Sequence, residues 1–216
     1  MPLSRRHFLA GLSAAAAGLA LPRRAPAADP VAAAFAEIEK ARASIKTLIA
    51  PFTQERTIGL LATVVKSEGE LSLVRPDRLR WELFAPDAVT YWITPEGFGY
   101  ATAGGSAAVG KEAARRFGAV LGDLVVFLGG DLASLRKRYD FSASSSNDLL
   151  VLLARPLADD VKKHVKEIEL TFGPDRWSMR RVVIAENSGD KSVIAFGKAR
   201  RDEKIDPARM ELPKKS

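Results

Sequence analysis

Residues 70–82 constrain this chain most, because two successive strand-patterned runs put an arginine on the face that should be apolar. With a period of two, Leu71, Leu73 and Arg75 share one face, and Glu70, Ser72 and Val74 the other. Pro76-Asp77 marks a turn, after which Arg78, Arg80 and Glu82 point one way and Leu79, Trp81 and Leu83 the other. A charge on an inward face is costly unless it is partnered. Arg75 is therefore either a structural partner at the strand end, pairing with Asp77 or another rim acid, or a residue kept for function.

The same alternation recurs along most of the chain. Strands are expected near 51–58, 66–75, 78–85, 89–94, 97–102, 139–145, 148–154, 164–172, 178–186 and 191–199, an antiparallel meander curling into a barrel or half-barrel. Gly173-Pro174-Asp175 and Ser188-Gly189-Asp190 make the last three of these successive hairpins. Ahead of them, Asp29-Pro30 is a cap-plus-proline helix start, and Val31, Phe35, Ile38, Ile45 and Leu48 form a helical stripe ending before Pro51. Residues 104–138 interrupt the strand pattern. Their alanines, glycine breaks and apolar residues Phe117, Leu121, Leu124 and Phe127 predict two or three short helices, with Asp123 and Asp131 as caps. Those helices form either a movable cover or a plain plug over a sealed core. The fold class expected is thus mainly β with a helical lid: a curved, half-open antiparallel barrel of about 10–11 strands under an N-terminal helix and short inserted helices.

With 216 residues, 47% of them hydrophobic, the chain can bury one sizeable core, and no interior linker suggests a second domain. Residues 1–27 read as an export signal. Ser4-Arg5-Arg6-His7-Phe8-Leu9 has the twin-arginine pattern, 11–21 is a mildly apolar alanine-rich core, and Ala25-Pro26-Ala27 offers a cleavage site. The alternative is an uncleaved N-terminal anchor, although the apolar run is short for a membrane span. The domain organisation expected is a signal at 1–27, a single globular domain at 28–201 and a charged tail at 202–216. Removing four signal arginines leaves 29 basic against 26 acidic residues, so the net charge falls from +7 to +3. No basic tract alternates with aromatics, which argues against nucleic-acid binding. Arg136-Lys137-Arg138 reads as a solvated helix end.

The residue inventory is poor for an enzyme. Cysteine is absent, which excludes disulfides, thiolate metal sites, a cysteine nucleophile and the lipid-bearing cysteine of a lipoprotein. Beyond the signal the one histidine, His164, sits among Lys162, Lys163 and Lys166, as an exposed strand entrance would. There is no G-x-S-x-G elbow, P-loop or H-E-x-x-H. Asp159-Asp160 and Glu167/Glu169 lie beside lysines or on an outward face, and residues 144–148 read as a polar hairpin turn. No enzymatic activity, metal or cofactor is expected.

Phe52-Thr53-Gln54, followed by Arg75-Pro76-Asp77-Arg78-Leu79-Arg80-Trp81, resembles the F-x-Q strand start and R-P-(D/N)-x-(L/F)-x-W hairpin of LolA-type periplasmic outer-membrane lipoprotein carriers. The resemblance in element order runs over about 30–200, and the sharp motifs cover 52–84. It implies a periplasmic, monomeric carrier that holds acyl chains in a hydrophobic cavity, taking acylated lipoproteins from an inner-membrane release complex to an outer-membrane acceptor. It also implies that Leu71, Leu73, Leu79, Trp81, Leu83, Ile168, Leu170 and Phe172 line that cavity, where a sealed core is the alternative. Arg75 would latch the empty lid by bonding backbone carbonyls of the lid helices. A carrier of another envelope lipid or glycolipid, a lipid-sensing envelope regulator, an envelope hydrolase and a sealed structural domain are the competing readings.

Overall fold

A computed structural model describes residues 29–61, 63–110 and 119–214. The signal-like segment at 1–27 lies outside the described residues. Helix α1 (Pro30–Arg42) starts as expected: the Asp29 side chain accepts from Val31 N at 2.9 Å, and Pro30 occupies the first turn. Among the described residues twelve strands follow, β1 (Thr47–Ile58), β2 (Thr63–Val74), β3 (Arg78–Leu83), β4 (Val89–Thr94), β5 (Gly97–Thr102), β6 (Gly105–Gly110), β7 (Tyr139–Ser146), β8 (Leu149–Pro156), β9 (Val165–Phe172), β10 (Met179–Glu186), β11 (Lys191–Phe196) and β12 (Arg200–Arg201). They form one antiparallel sheet in the order β6-β5-β4-β3-β2-β1-β11-β10-β9-β8-β7, with β12 pairing β1. Around it lie helix α2 (Ala119–Gly129), the short α3 (Asp159–Lys162) and 3-10 turns at Gly59–Leu61, Leu132–Lys137 and Pro207–Met210. The architecture is the curved, half-open antiparallel barrel with helical covers that the alternation predicts.

Three expectations need correction. Helix α1 stops at Arg42, so Ile45 and Leu48 are not part of its stripe; both are buried, but from the loop and from β1, where pairing of Thr47 with Val74 overrides the helical period. Residues 105–110 are a strand rather than the first lid helix. Their glycines and alanines carry little strand preference, but backbone pairing with β5 at the sheet edge needs no side chain. Asp123 is not a cap. It is buried inside α2, where Arg138 Nε donates to it at 2.9 Å and the Tyr139 hydroxyl at 2.8 Å. Asp131 does cap, accepting from Ala133 N at 2.8 Å.

Inward-facing residues of β1–β3 and β8–β11 pack beneath the helices into one core that includes Leu48, Phe52, Leu71, Leu79, Leu152, Leu170 and Phe196. Helix α1 lies on the β7 side, its Phe35 ring meeting Phe141 edge-on at 5.0 Å. Helix α2 ends against β2: a Cβ on Gly129 would lie 2.1 Å from Leu73 Cδ2, so a side chain there would have to displace the buried Leu73.

The tail is part of the fold. Asp202 accepts from Lys46 N at 2.8 Å, a 3-10 turn (Pro207–Met210) buries Met210, and Trp92 Nε1 donates to the Arg209 carbonyl at 2.8 Å. It crosses the outer face of β3–β6, with Pro213 and Leu212 on Gly99, where a side chain would collide. Ser72 and Arg80, on the sequence's polar face, are buried on this side of the sheet.

Candidate functional site

Under α2 the barrel does not close. A cavity of about 520 Å3 lies between the inner faces of β1–β4 and β10–β11, with Leu124 of α2 at its wall. Leu79, Trp81 and Leu83 line it from β3, Val89, Tyr91 and Ile93 from β4, and Ile184 and Ile194 from β10 and β11. Gln54, Arg56, Ser67, Asp87 and Ser192 supply its polar lining. The volume falls within the ~300–1,000 Å3 usual for small-molecule sites, and the lining is mostly apolar. A larger hollow of about 650 Å3 sits on the opposite face between the sheet and the tail, lined by Val74, Ile205, Met210 and Leu212 among others. Size alone would favour it, but only the smaller cavity is faced by a covering helix.

The eight apolar residues singled out in the sequence divide into two groups. Leu79, Trp81 and Leu83 reach the cavity. Leu71 and Leu73, at 1% exposure, and Ile168, Leu170 and Phe172, at 3% or less, lie in the tightly packed half of the barrel beneath α1 and the end of α2. Sequence reasoning missed the contribution of β4, β10 and β11, although Val89, Tyr91 and Ile93 display the same period-two signal as β3. Trp81 joins the two halves, its ring 4.0 Å from that of Phe52 and 6.2 Å from that of Phe196.

Arg75 follows the last residue of β2, and its backbone N donates to the Lys46 carbonyl at 2.9 Å. Its Nη1 bonds the main-chain carbonyl of Arg42, the last residue of α1, and reaches the Ile45 carbonyl at 3.4 Å. Among the described residues its guanidinium partners are these carbonyls and not Asp77. Carbonyls at a helix C-terminus carry partial negative charge and lack intrahelical donors, so they suit a guanidinium.

Arg42 itself went unnoticed in the sequence, although Val31, Ala34, Phe35, Ile38 and Arg42 form the buried face of α1. A cation ending an apolar helical stripe is the same signal that marks Arg75. Only 3% exposed, it donates from Nη1 to the Phe127 carbonyl of α2 and from Nε to the Trp177 carbonyl, both at 3.4 Å, and stands 5.3 Å over the Phe172 ring. Burial, helped by the nearby Arg75 charge, presses its pKa down to about 9. Its Nη2 and the Nε of Arg75 are buried without a partner among the described residues. Two guanidiniums in contact with carbonyls, with donors left over, make a weak tether between α1, α2 and the rim of β2.

A second tether holds the other end of α2. Arg138 joins Asp123 to Asp160, at 2.9 and 3.0 Å, so it is a buried-cluster partner rather than a solvated helix end. Burial raises the Asp123 carboxyl above its usual range despite the Tyr139 and Arg138 bonds. Arg136 pairs with Asp29 and lies over the Phe35 ring. His164 is exposed ahead of β9, as expected.

The family model described as outer membrane lipoprotein carrier protein LolA matches residues 43–91, which span β1, β2 and β3 and include Arg75. No curated protein matches the sequence. Among solved structures, an uncharacterized conserved protein from Thermus thermophilus superposes with a TM-score of 0.52 at 11% identity, over 85% of this chain and 94% of its own. A DUF1329 family protein from Desulfovibrio piger gives 0.49 at 11% identity, over 85% and 98%. A LolA superfamily protein from Nitrosomonas europaea gives 0.47 at 8% identity, over 83% and 96%. The matched segment forms one wall of the half-open barrel, and the residue it places at the rim, Arg75, bonds the carbonyl that ends α1: over residues 43–91 the chain is similar to the LolA carrier family.

Proposed function

We propose that this protein is a non-catalytic periplasmic carrier that takes up the acyl chains of lipoproteins in the cavity under α2 and passes them from the inner to the outer membrane. The observation that carries this reading is an apolar cavity of about 520 Å3 beneath α2, a helix whose C-terminal end is tied to the frame by the Arg42 hydrogen bond to the Phe127 carbonyl. Each buried methylene is worth about 0.8 kcal/mol, so an acylated cargo would be held too firmly for transfer unless opening the cover cost something. Breaking the Arg75 and Arg42 bonds subtracts from affinity and lets a better acceptor win. The donor is an inner-membrane release complex and the acceptor an outer-membrane component. The address rests on the twin-arginine pattern at residues 4–9. No cofactor enters the cycle, since partition of acyl chains between cavities needs no bond to be made or broken.

The test is mass spectrometry of material extracted from protein purified from the periplasm, together with titration of a fluorescent fatty-acyl probe. Acylated peptides in the extract and saturable probe uptake are expected. A free envelope lipid in place of acylated peptide would reassign the cargo, and a chain that takes up no probe would end the carrier reading.

A further inference from the structure

The hairpin joining β1 to β2 ends in a tip that the carrier cavity does not account for. Seven large apolar side chains are exposed among the described residues, and four of them, Leu60 at 92%, Leu61 at 66%, Val64 at 49% and Val65 at 40%, belong to this one hairpin. Leucines in such a position are costly to keep wet unless something covers them part of the time.

The tip is held in place from below. Asp190, in the β10–β11 turn, accepts from Gly59 N at 3.0 Å through Oδ1 and from Arg56 Nη2 at 3.2 Å through Oδ2. Beneath it Arg56 also pairs with Glu186 at 3.4 Å, and Lys66 pairs with Glu55 at 2.7 Å. The tip itself, at 59–61 and 63–65, carries no charged side chain and presents aliphatic surface. Val65 and Arg56 belong to both the tip's base and the cavity wall, so the tip adjoins the cavity along β1 and β2.

We propose that the tip inserts Leu60 and Leu61 into the interfacial region of a lipid membrane, bringing the cavity mouth to the surface where an acyl chain enters or leaves. A lipid surface fits better than a protein pocket for two reasons. The apolar side chains form a convex point, which a fluid interface accommodates without a preformed complement. They also adjoin, through Val65, a cavity whose proposed content is itself lipid. Among the described residues no helix is long and apolar enough to cross a membrane, so this contact would be peripheral.

The inference rests on the carrier reading, and the experiment keeps the two apart. Protein produced from the full chain is mixed with vesicles of phosphatidylethanolamine and phosphatidylglycerol, and acyl-probe uptake is measured in parallel without vesicles. Leu60→Trp should show a blue-shifted emission on vesicle addition and quenching by brominated acyl chains. Leu60→Asp combined with Leu61→Asp should lower vesicle partitioning by about tenfold or more while leaving probe uptake unchanged, because both side chains lie outside the cavity. Equal partitioning of the double aspartate variant and the parent, or a Leu60→Trp emission indifferent to vesicles, overturns the insertion and leaves a protein partner as the occupant. Vesicle insertion without probe uptake would support the tip and count against the carrier reading alone.

Discussion

Arg75 bonds the main-chain carbonyl of Arg42, while the Arg42 guanidinium reaches on to the Phe127 carbonyl of α2, so one arginine holds the backbone of the other and the second holds the cover. At this end of α2 the closed state thus hangs on neutral acceptors, while the Arg138–Asp123 pair holds the other end. An ion pair buried at the same place would have to be desolvated to form and would leave an uncompensated charge on opening. Carbonyls leave nothing charged behind when the guanidinium moves away, which suits a cover that opens and closes repeatedly.

Removal of Arg75 should therefore separate affinity from release. Arg75→Leu takes away a cost of opening without removing apolar surface, so acyl-probe binding is expected to be kept or tightened while transfer to an acceptor falls. Lysine keeps the charge but loses the planar fork, and Arg75→Lys should fall between the two. Equilibrium binding and transfer rates check this directly. If Arg75→Leu only lowers the melting temperature, with binding and transfer changed no more than in an equally destabilised core variant, Arg75 is a structural cap of α1 and not a latch.

Arg42→Met tests the second link. Methionine fills similar space on the buried face of α1 and carries no charge to desolvate, so global stability should hold or rise by about 1–4 kcal/mol, by analogy with apolar replacements of buried charges. Amide exchange in α2 should nevertheless quicken, because the Phe127 carbonyl loses its donor. Unchanged exchange in 123–129 would separate Arg42 from the cover.

The cavity and the closed core should answer differently to mutation. Ile184 borders the cavity and is only partly buried, so Ile184→Trp should occupy it and block probe uptake with little loss of stability. Leu170 has 0% exposure in the packed half, so Leu170→Ala should cost about 2–5 kcal/mol and leave uptake intact. Denaturant melts and probe titrations of the two variants provide the comparison. Loss of uptake in Leu170→Ala at full stability, or retention in Ile184→Trp, would show that the hollow under α2 is not where acyl chains go.

The strands were legible because each apolar row, such as Leu79 and Trp81 or Ile168 and Leu170, alternates with polar residues over a whole strand. What escaped was decided by tertiary pairing. The small residues of 105–110 pattern as neither strand nor helix, and their state is set by the β5 edge beside them. Which inward residues meet a void and which meet each other also depends on where α2 lies, and no local pattern along Ile168, Leu170 and Phe172 distinguishes them from Tyr91 and Ile93. Arg42 was visible in principle, as a cation in register with Phe35 and Ile38. The tail concealed its role behind its charges, because Met210 is the one buried residue of its described part.

Export gives a prediction independent of the barrel. If residues 4–9 are read by the twin-arginine pathway, mature protein should begin at Ala28, and replacing Arg5 and Arg6 by lysine should leave the precursor in the cytoplasm. N-terminal sequencing and fractionation provide the readout, with normal periplasmic levels of the double-lysine variant pointing to another route.

Acid should loosen the tail before it unfolds the barrel. Glu82 accepts from Arg80 and lies 3.7 Å from Arg209 of the tail, and chiefly the Arg80 hydrogen bond holds its carboxyl below the ordinary value of 4.5. The Arg80 bond within β3 persists when the tail lifts, and the Arg209 attraction lowers the Glu82 value further only while the tail is docked, so ionised Glu82 favours docking. That contribution drains away as the pH falls through the lower, docked-state value. Glu70, which also lies 3.7 Å from Arg209, is untouched by a change at position 82 and keeps part of the attraction. Amide exchange in 203–214 is therefore expected to accelerate as the pH falls through the depressed Glu82 value, ahead of any change in β8–β10. Glu82→Gln should show part of that acceleration already at neutral pH, with a smaller further response to acid. If its tail exchanges like the parent's at every pH, the Glu82–Arg209 attraction contributes nothing, and the strap is held by its other contacts, Met210 and the Trp92 hydrogen bond among them.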